Sequence, residues 1–211
     1  MERLYLLTGA AGYLGSNVAR ELVSCGANVR GLVLPGDKAA QKLPEAMERF
    51  EGDVLDRASL RRFFEAPAGT ELCVIHCAGI VSIGWNFNKR VHAVNVEGTR
   101  NVVAQCVESG VKKLVYVSSV HALRELPHGQ IITEGTEFDP DKIKGFYGKT
   151  KAEASALVMR AVREEGLDAS IVFPGGLCGP NDLAGGSVTQ LLIDACRGRL
   201  PVGVNGGYDF V

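Results

Sequence analysis

The chain has 211 residues, of which 46% are hydrophobic and 22% charged, enough apolar material to bury one full core without metals or disulfides. A formal net charge of −1 provides no positive field for the phosphates of a nucleic acid, so we expect no nucleic-acid partner. The amino terminus runs directly into a glycine-rich turn and no stretch reaches the ~20 apolar residues of a membrane-spanning helix, which predicts a soluble, cytoplasmic protein.

Short apolar runs alternate along the chain with segments whose apolar residues recur every three or four positions. Segments of the second kind, such as Leu14, Val18 and Leu22, have the periodicity of a helix. Runs that are apolar on both faces are typical of buried parallel strands. Together they predict a doubly wound α/β fold, in which helices cover both faces of a parallel sheet. The predicted strands comprise residues 4–8, 28–34, 49–52, 72–77, 113–118 and 169–173.

A glycine-rich turn at residues 8–15 falls where the first strand must lead into the first helix. Gly9 can take the positive φ of a tight turn, Gly12 lets a pyrophosphate approach the backbone, and Gly15 lets the helix pack close to the strand. A diphosphate would then meet free N–H groups and the positive end of the helix dipole. A plain turn is the alternative, but the position between strand and helix favours a nucleotide site.

Two further features lie at the carboxyl edge of the predicted sheet, where ligands of such folds bind. Asp53 follows the third strand, and its carboxylate can accept a hydrogen bond from an adenine amino group. Capping a helix is its alternative role, for which Asp56 is better placed. Ala78 and Gly79 follow the fourth strand, in a small-residue loop suited either to a passing ribose or phosphate or to a simple turn.

Tyr147 and Lys151 are four positions apart near the start of a helix predicted from about residue 146, so both project from one face. A free phenol has a pKa of about 10, too high for efficient proton exchange at neutral pH. A lysine ammonium and an oxidised nicotinamide would both lower that pKa. The pair predicts a tyrosine acid/base, although the same spacing also occurs on ordinary surface helices.

Ser119 follows the fifth predicted strand at the same edge of the sheet. Its hydroxyl can hold a substrate oxygen beside Tyr147, but a serine at a strand end can also cap the following turn. The order of the features along the chain, a phosphate turn, then Ser119, then Tyr147 and Lys151, favours a catalytic group over chance.

The six cysteines are scattered along the chain, and we expect them to be reduced thiols. Cys73, His76 and Cys77 are close in sequence, but side chains alternate between the faces of a strand and cannot all converge on one ion. We therefore predict no metal site.

These motifs resemble the extended branch of the short-chain dehydrogenase/reductase family, the NAD-dependent epimerase/dehydratase family, especially its dihydroflavonol-reductase-like and 3-beta-hydroxysteroid-dehydrogenase-like members. The resemblance covers the whole chain. It implies a Rossmann fold, NAD(P) as cofactor, a small-molecule substrate and a homodimer formed through two helices per subunit. It matches Ser119, Tyr147 and Lys151 to the catalytic group. The motifs and the resemblance together assign these residues to the cofactor: Thr8, Gly9, Gly12, Tyr13, Leu14, Gly15, Asp37, Lys38, Asp53, Val54, Cys77, Ala78, Gly79, Asn95, Val117, Tyr147, Lys151 and Pro174.

Two departures from the family pattern bear on the reaction. Members that dehydrate nucleotide sugars carry acidic residues just after the catalytic hydroxyl, whereas Ser119 is followed by Val-His-Ala, which disfavours a dehydratase. By the same resemblance, Pro174, Gly179 and Pro180 belong to the loop beside the nicotinamide, and Phe173 replaces the arginine that usually precedes Pro174. His121 and His128 are candidates for substrate contact, with ordinary exposed loop histidines as the alternative.

The expected reaction is hydride transfer between the nicotinamide and a carbonyl or secondary alcohol, with Tyr147 as acid/base, Lys151 as electrostatic support and ribose anchor, and Ser119 as donor to the substrate oxygen. A nucleotide-sugar epimerase is the nearest alternative, because it begins with the same hydride abstraction. A cofactor-sensing regulator without turnover is another, although such regulators typically lack the tyrosine that this chain retains.

Cofactor choice depends on the end of the second strand, which carries neither an acid nor an arginine at its tip. Asp37 can accept ribose hydroxyls, and Lys38 can bind a 2′-phosphate. Because the reductase-like relatives mostly use NADP, the expectation leans to NADP.

Relatives in this branch continue well beyond the point where this chain stops. We therefore expect residues 1–174 to form the NAD(P)-binding domain and residues 175–211 to begin an incomplete C-terminal substrate lobe, with a first helix at residues 185–198. Either a longer natural protein or a partner subunit would complete that lobe. Residues 208–211 are then expected to lie in the middle of a secondary-structure element.

Overall fold

The six strands predicted from the sequence form one parallel sheet in the computed structural model, in the order β3-β2-β1-β4-β5-β6. The structure describes residues 2–82, 84–127, 129–182, 185–203, 207 and 209–211, without the side chain of Ser187. Every predicted strand end is confirmed to within one residue. The strands are β1 (Arg3–Thr8), β2 (Asn28–Val33), β3 (Glu48–Glu51), β4 (Glu71–His76), β5 (Lys113–Val117) and β6 (Ala169–Val172).

The helices follow the strands as the periodicity predicted. Asp56 caps the second helix by accepting a hydrogen bond from Ala58 N over 2.9 Å, which confirms its predicted role. A wide π-helical turn at Ala93–Gly98, which the sequence did not predict, joins the third and fourth helices. The helices are α1 (Tyr13–Ser24), α2 (Arg57–Phe63), α3 (Lys89–His92), α4 (Thr99–Glu108), α5 (Phe146–Glu165) and α6 (Ser187–Cys196).

Neighbouring residues of the central strand enter two different cores. Leu6 belongs to a core that also contains Phe63 of α2, Val102 of α4 and Val158 of α5. Leu7 belongs to the core on the opposite face, which includes Ala19 of α1. Both leucines are fully buried, and burial of a leucine side chain contributes about 1.5–3 kcal/mol. The doubly wound architecture is therefore confirmed, and it places the carboxyl ends of all the strands at one edge.

The last described residues run beside the segment that follows β6. Gly176 N donates a hydrogen bond to Asp209 O, and Cys178 N donates one to Val211 O, both over 2.8 Å. Tyr208, the first residue of segment 208–211, lies outside the described residues. In the part of the chain that the structure describes, no helix is long and apolar enough to cross a membrane.

Candidate active site

The glycine-rich turn has the geometry that its sequence predicted. Gly9 has a φ of +67°, and Gly12 N closes the turn by donating a hydrogen bond to Gly9 O over 3.0 Å. A Cβ on Gly15 would lie 2.1 Å from Gly9 O, and a Cβ on Gly9 would lie 2.6 Å from Ala78 N. The backbones of the turn, α1 and the loop after β4 therefore approach each other more closely than any side chain would permit.

The outer side of the same turn is open. A Cβ on Gly12 would meet only Gly9 O, 3.2 Å away. No side chain caps the N-terminus of α1, which begins at Tyr13, so a ligand can reach the N–H groups of its first turn. These N–H groups and the helix dipole suit the diphosphate of a dinucleotide, and the residues present fit such a group.

A cavity of about 260 Å³ lies beside this turn. Its lining includes Gly12 and Tyr13 from the turn and α1, and Lys38 and Lys42 from the short helical segment Lys38–Lys42. Asp37 is not among the lining residues, and one oxygen of its carboxylate accepts a hydrogen bond from Ala39 N over 2.9 Å. The sequence identified Lys38, but it carried no signal that Lys42 lies at the same cavity.

Asp53 and Val54 lie after β3 at the carboxyl edge, as predicted. One carboxylate oxygen of Asp53 accepts a hydrogen bond from Leu55 N over 2.9 Å, and the backbone N–H of Asp53 bonds Ser59 Oγ. Val54 is buried and packs against Gly98, where a Cβ would lie 2.7 Å from a methyl group of Val54. Adenine contact by Asp53 and Val54 stays a prediction.

Lys151 is buried where α5 passes the end of β5. Its Nζ donates a hydrogen bond to Val117 O over 2.7 Å and lies 4.8 Å from the centroid of the Tyr116 ring. A Cβ on Gly79 would lie 3.7 Å from the same nitrogen, so the loop after β4 also reaches this point. Burial lowers the pKa of Lys151 to about 8, because a dry environment disfavours the ammonium form.

Tyr147 lies one turn before Lys151 on α5, and its ring is held near the loop after β5. The ring centroid lies 6.2 Å from that of His121, in an edge-on arrangement. Ser119 Oγ accepts a hydrogen bond from His121 N over 3.2 Å, so Ser119 does cap the turn that follows it. Accepting this bond leaves the hydroxyl proton of Ser119 available for donation.

The carboxyl ends of β5 and β6 are joined on the side of the predicted nicotinamide loop. Val120 N donates a hydrogen bond to Pro174 O over 3.1 Å. Phe173, which stands in place of the usual arginine, stacks on Phe138 with ring centroids 5.7 Å apart. An apolar contact between two rings therefore takes the place of the usual arginine. The other candidate for substrate contact in this region, His128, lies outside the described residues.

Asn95 lies in the wide turn before α4, and its side-chain amide makes hydrogen bonds to other segments of the protein. Its Oδ1 accepts a hydrogen bond from Ile80 N over 2.8 Å, and its Nδ2 donates to Ile80 O and to Thr150 Oγ1. Thr150 in turn donates to Tyr147 O over 2.7 Å. Asn95 thus joins the loop after β4 to α5, and its direct contact with a cofactor stays a prediction.

His76 ends β4 beneath the site and is completely buried. Its Nδ1 lies 2.6 Å from Thr8 Oγ1 and its Nε2 lies 3.0 Å from Thr99 Oγ1. Burial, and secondarily the charge of Lys151, lowers the pKa of His76 to about 3. Cys77 packs into the core on the α1 side, whereas His76 stacks on Tyr116 in the other core, so the two face opposite ways as predicted. Within the described ranges, no group of three potential metal ligands occurs.

The strand order, the open glycine turn after β1 and the loops at the carboxyl edge define a nucleotide-binding protein of the Rossmann class. Comparison with known families gives the same result in more detail. A model described as the NAD dependent epimerase/dehydratase family matches residues 5–209. The chain therefore belongs to this family, as the resemblance of its motifs implied.

Two curated relatives show how far the similarity extends. The chain is 35% identical over 207 residues to sterol demethylase protein B of Methylococcus capsulatus, a match covering 98% of this chain and 61% of that protein. It is 33% identical over 167 residues to human 3 beta-hydroxysteroid dehydrogenase type 7, a match covering 75% of this chain and 44% of that enzyme. The chain thus spans about three fifths or less of the length of these relatives.

Solved structures share the fold. The crystal structure of gox2253 superposes with a TM-score of 0.88 at 32% identity, covering 99% of this chain and 62% of that one. The UDP-glucose 4-epimerase of Thermus thermophilus, in complex with NAD, superposes with a TM-score of 0.78 at 24% identity, covering 99% of this chain and 70% of that one. At that identity, the second similarity shows the fold alone.

Proposed function

We propose that the protein is an NADP-dependent oxidoreductase that interconverts a carbonyl and a secondary alcohol. The observation that carries this proposal is the position of Lys151, whose buried ammonium group is fixed to Val117 O one helical turn after Tyr147. A fixed positive charge beside a tyrosine lowers the pKa of the phenol and lets it exchange protons at neutral pH.

Each residue of the group acts in the proton transfer at a stated atom. The Tyr147 hydroxyl gives its proton to a carbonyl oxygen during reduction and takes it back during oxidation. Ser119 Oγ donates a hydrogen bond to the same substrate oxygen, and Lys151 Nζ stabilises the phenolate of Tyr147. The nicotinamide, when bound, supplies or accepts the hydride.

The preference for NADP over NAD is supported by the charges at the cavity beside the turn. Lys38 and Lys42 both line it, and either ammonium can pair with a 2′-phosphate. Asp37, which could accept the ribose hydroxyls of NAD, is not among the residues that line this cavity. The turn at Gly9 and Gly12 would hold the diphosphate of either cofactor.

An apolar substrate is favoured over a nucleotide sugar by the loop that follows β4. Residues 77–88 include no charged side chain. Val81, Trp85 and Phe87 are at least 70% exposed, and the Phe87 ring lies 5.2 Å from that of Phe146, the residue before Tyr147. Exposed apolar surface beside a reactive group suits an apolar ligand. The names of the sterol and hydroxysteroid relatives agree with a ring-bearing alcohol of this kind.

The proposal also includes the domain division, the oligomeric state and the location of the protein. Residues 1–174 contain every residue assigned to the cofactor, and residues 175–211 would begin the substrate lobe. A homodimer in the cytoplasm is the expected form of the protein.

Reduction of NADP and NAD by a panel of alcohols tests the proposed function. The panel contains 3β-hydroxysteroids, small aliphatic secondary alcohols and UDP-sugars, and Tyr147→Phe is the matched control because it deletes only the hydroxyl. We expect NADP reduction with a ring-bearing alcohol and its loss in Tyr147→Phe, with cofactor affinity retained. Epimerisation of a UDP-sugar without net NADP reduction would instead assign the epimerase reaction, and cofactor binding without any turnover would assign the regulator.

A further inference from the structure

A series of buried hydrogen bonds lies beneath the candidate site. It connects the glycine-rich turn after β1, called the nucleotide turn below, to α5, the catalytic helix that carries Tyr147 and Lys151. Its side chains are at most 1% exposed and come from β1, β4, the wide turn, α4 and α5. Of these side chains, the sequence assigned only Thr8 and Asn95 to cofactor binding. The members are Thr8, His76, Thr99, Asn95 and Thr150.

The direction of each bond follows from the groups that can only accept or only donate. Thr99 Oγ1 lies 2.7 Å from Asn95 O, and a carbonyl oxygen can only accept, so the hydroxyl proton of Thr99 points to it. Thr99 Oγ1 must then accept at its other contact, 3.0 Å from Nε2 of His76. His76 therefore carries its proton on Nε2.

The other ring nitrogen is then an acceptor. In a neutral imidazole with a proton on Nε2, Nδ1 has a free lone pair, so Thr8 Oγ1 donates its proton across the 2.6 Å contact. The lone pairs of Thr8 Oγ1 remain available, and one accepts a hydrogen bond from Ala78 N over 3.3 Å. One tautomer of His76 thus orders both the turn that leads to Gly9 and the loop after β4.

The Nε2 side of the ring reaches the catalytic helix. Thr99 bonds the backbone of Asn95, whose side chain bonds Thr150, and Thr150 bonds Tyr147 O. The His76 ring also stacks on Tyr116 with centroids 5.5 Å apart, and the same Tyr116 ring lies under Lys151 Nζ. An imidazolium at this point would place a second positive charge near Lys151 and remove the acceptor that Thr8 requires. The neutral form matches the low pKa of His76.

We propose that His76 is a positioning residue that couples the nucleotide turn to Tyr147 and Lys151. Its Nδ1 acceptor holds Thr8 and the turn, and its Nε2 donor holds the path through Thr99 to α5. It is not a catalytic residue, since its ring is fully buried under the site. This inference rests on the proposed function for its kinetic readout only.

Three variants separate the acceptor role of Nδ1 from the donor role of Nε2. In His76→Asn the amide oxygen lies as many bonds from Cβ as Nδ1 does, so it keeps an acceptor for Thr8 and loses the donor to Thr99. In His76→Gln the amide nitrogen lies as many bonds from Cβ as Nε2 does, so it keeps the donor and loses the acceptor. His76→Phe keeps the stacking on Tyr116 and loses both bonds.

We expect the variants to affect the Kd for NADP and the kcat differently. His76→Asn should keep the Kd for NADP within about threefold and lower kcat about tenfold or more, because misplacement of a reacting group by about 1 Å costs up to about 100-fold. His76→Gln should weaken NADP binding and keep more of kcat, and His76→Phe should lose both. Calorimetric titration of NADP supplies Kd without any turnover, and thermal unfolding confirms that each variant is folded.

The tautomer provides a test that needs no variant and no activity. Long-range ¹H–¹⁵N spectra of the labelled wild-type protein should show Nε2 of His76 protonated and Nδ1 unprotonated. A proton on Nδ1, or a folded His76→Phe variant with wild-type Kd and kcat, would overturn the proposal. If the wild type turns over no alcohol, the proposed function fails, whereas the tautomer and the order of NADP affinities still decide the role of His76.

Discussion

The side-chain nitrogen of Lys151 lies 2.7 Å from the carbonyl oxygen of Val117, although only 5% of the lysine is exposed. A buried ammonium group is costly unless its protons are bound, and the hydrogen bond to Val117 O and the face of the Tyr116 ring offset part of that cost. This contact ties α5 to the end of β5, so the spacing between Tyr147 and Ser119 depends on it.

Replacing Lys151 by methionine should impair both cofactor binding and turnover. The substitution Lys151→Met keeps an apolar stem and removes the charge that stabilises the Tyr147 phenolate and, by resemblance, the contact to the nicotinamide ribose. We expect turnover to fall about 100-fold or more, the range of general acid/base effects, and NADP binding to weaken measurably. Steady-state kinetics and calorimetric titration measure the two quantities. Tyr147→Phe is the control, since it should change turnover alone; equal effects of the two variants on NADP affinity would contradict the separate roles.

Adding one methyl group to Gly15 should disrupt the nucleotide turn. The new Cβ would lie 2.1 Å from Gly9 O, a backbone atom that cannot move without opening the turn. We expect Gly15→Ala to lower the free energy of unfolding by about 1–3 kcal/mol and to weaken NADP binding. Urea unfolding and NADP titration measure both. At Gly135 a Cβ would meet nothing within 4 Å. Gly135→Ala should therefore change stability by less than about 0.5 kcal/mol.

Acid should destabilise the protein through His76. Its pKa is about 3 in the folded chain, against an ordinary value of 6.5. Between these values the unfolded chain binds a proton that the folded chain does not, so the free energy of unfolding falls as the pH falls. The contribution of this one residue is about 1.4 kcal/mol per pH unit across that window, and it is absent above about pH 6.5.

Urea unfolding of wild type and His76→Asn, from neutral pH down to about pH 4, measures this contribution. The variant should be less stable at neutral pH because it loses a buried bond, but it should lose less stability as the pH falls. His121→Asn removes an exposed imidazole and serves as the control. Parallel curves for wild type and His76→Asn would show that His76 is not the acid-sensitive group.

Removal of either lysine at the cavity should weaken NADP binding and leave NAD binding unchanged. Each ammonium of Lys38 and Lys42 would pair with the 2′-phosphate, and loss of one such contact is expected to cost about tenfold in affinity. Adenosine 2′,5′-bisphosphate and AMP, compared in Lys38→Ala and Lys42→Ala, isolate the phosphate. Lys112→Ala, outside the cavity, is the control. Tighter binding of NAD than of NADP, unaltered in Lys38→Ala, would remove the assignment to NADP.

The exposed aromatic residues after β4 should contribute to substrate affinity. Phe87→Ser removes a ring that lies beside Phe146 and is 70% exposed. Since burial of a phenylalanine side chain is worth about 1.5–3 kcal/mol, we expect KM for a 3β-hydroxysteroid to rise about tenfold or more. A small aliphatic alcohol, which cannot reach the ring, is the internal control and should keep its KM. An equal rise for both alcohols would indicate a structural effect instead.

The sequence by itself determined the sheet, the helices and the nucleotide turn. Buried parallel strands are apolar on both faces and helices repeat every 3.6 residues, so each element leaves a periodic signal in its own residues. The turn is equally local, because the positive φ of Gly9 and the close approach at Gly15 admit only glycine. The order of Ser119, Tyr147 and Lys151 after their elements then indicated which edge of the sheet carries the site.

Only the tertiary structure decided what lies beneath that edge. His76 meets Thr8 across 68 positions and Thr99 across 23, and Lys151 meets Val117 across 34. The sequence treated His76 as part of a rejected metal cluster, and it carried no signal for Thr150 or Lys42. Single hydrogen bonds between distant segments follow from how the elements pack, and they leave no period or spacing in the chain by which they can be recognised beforehand.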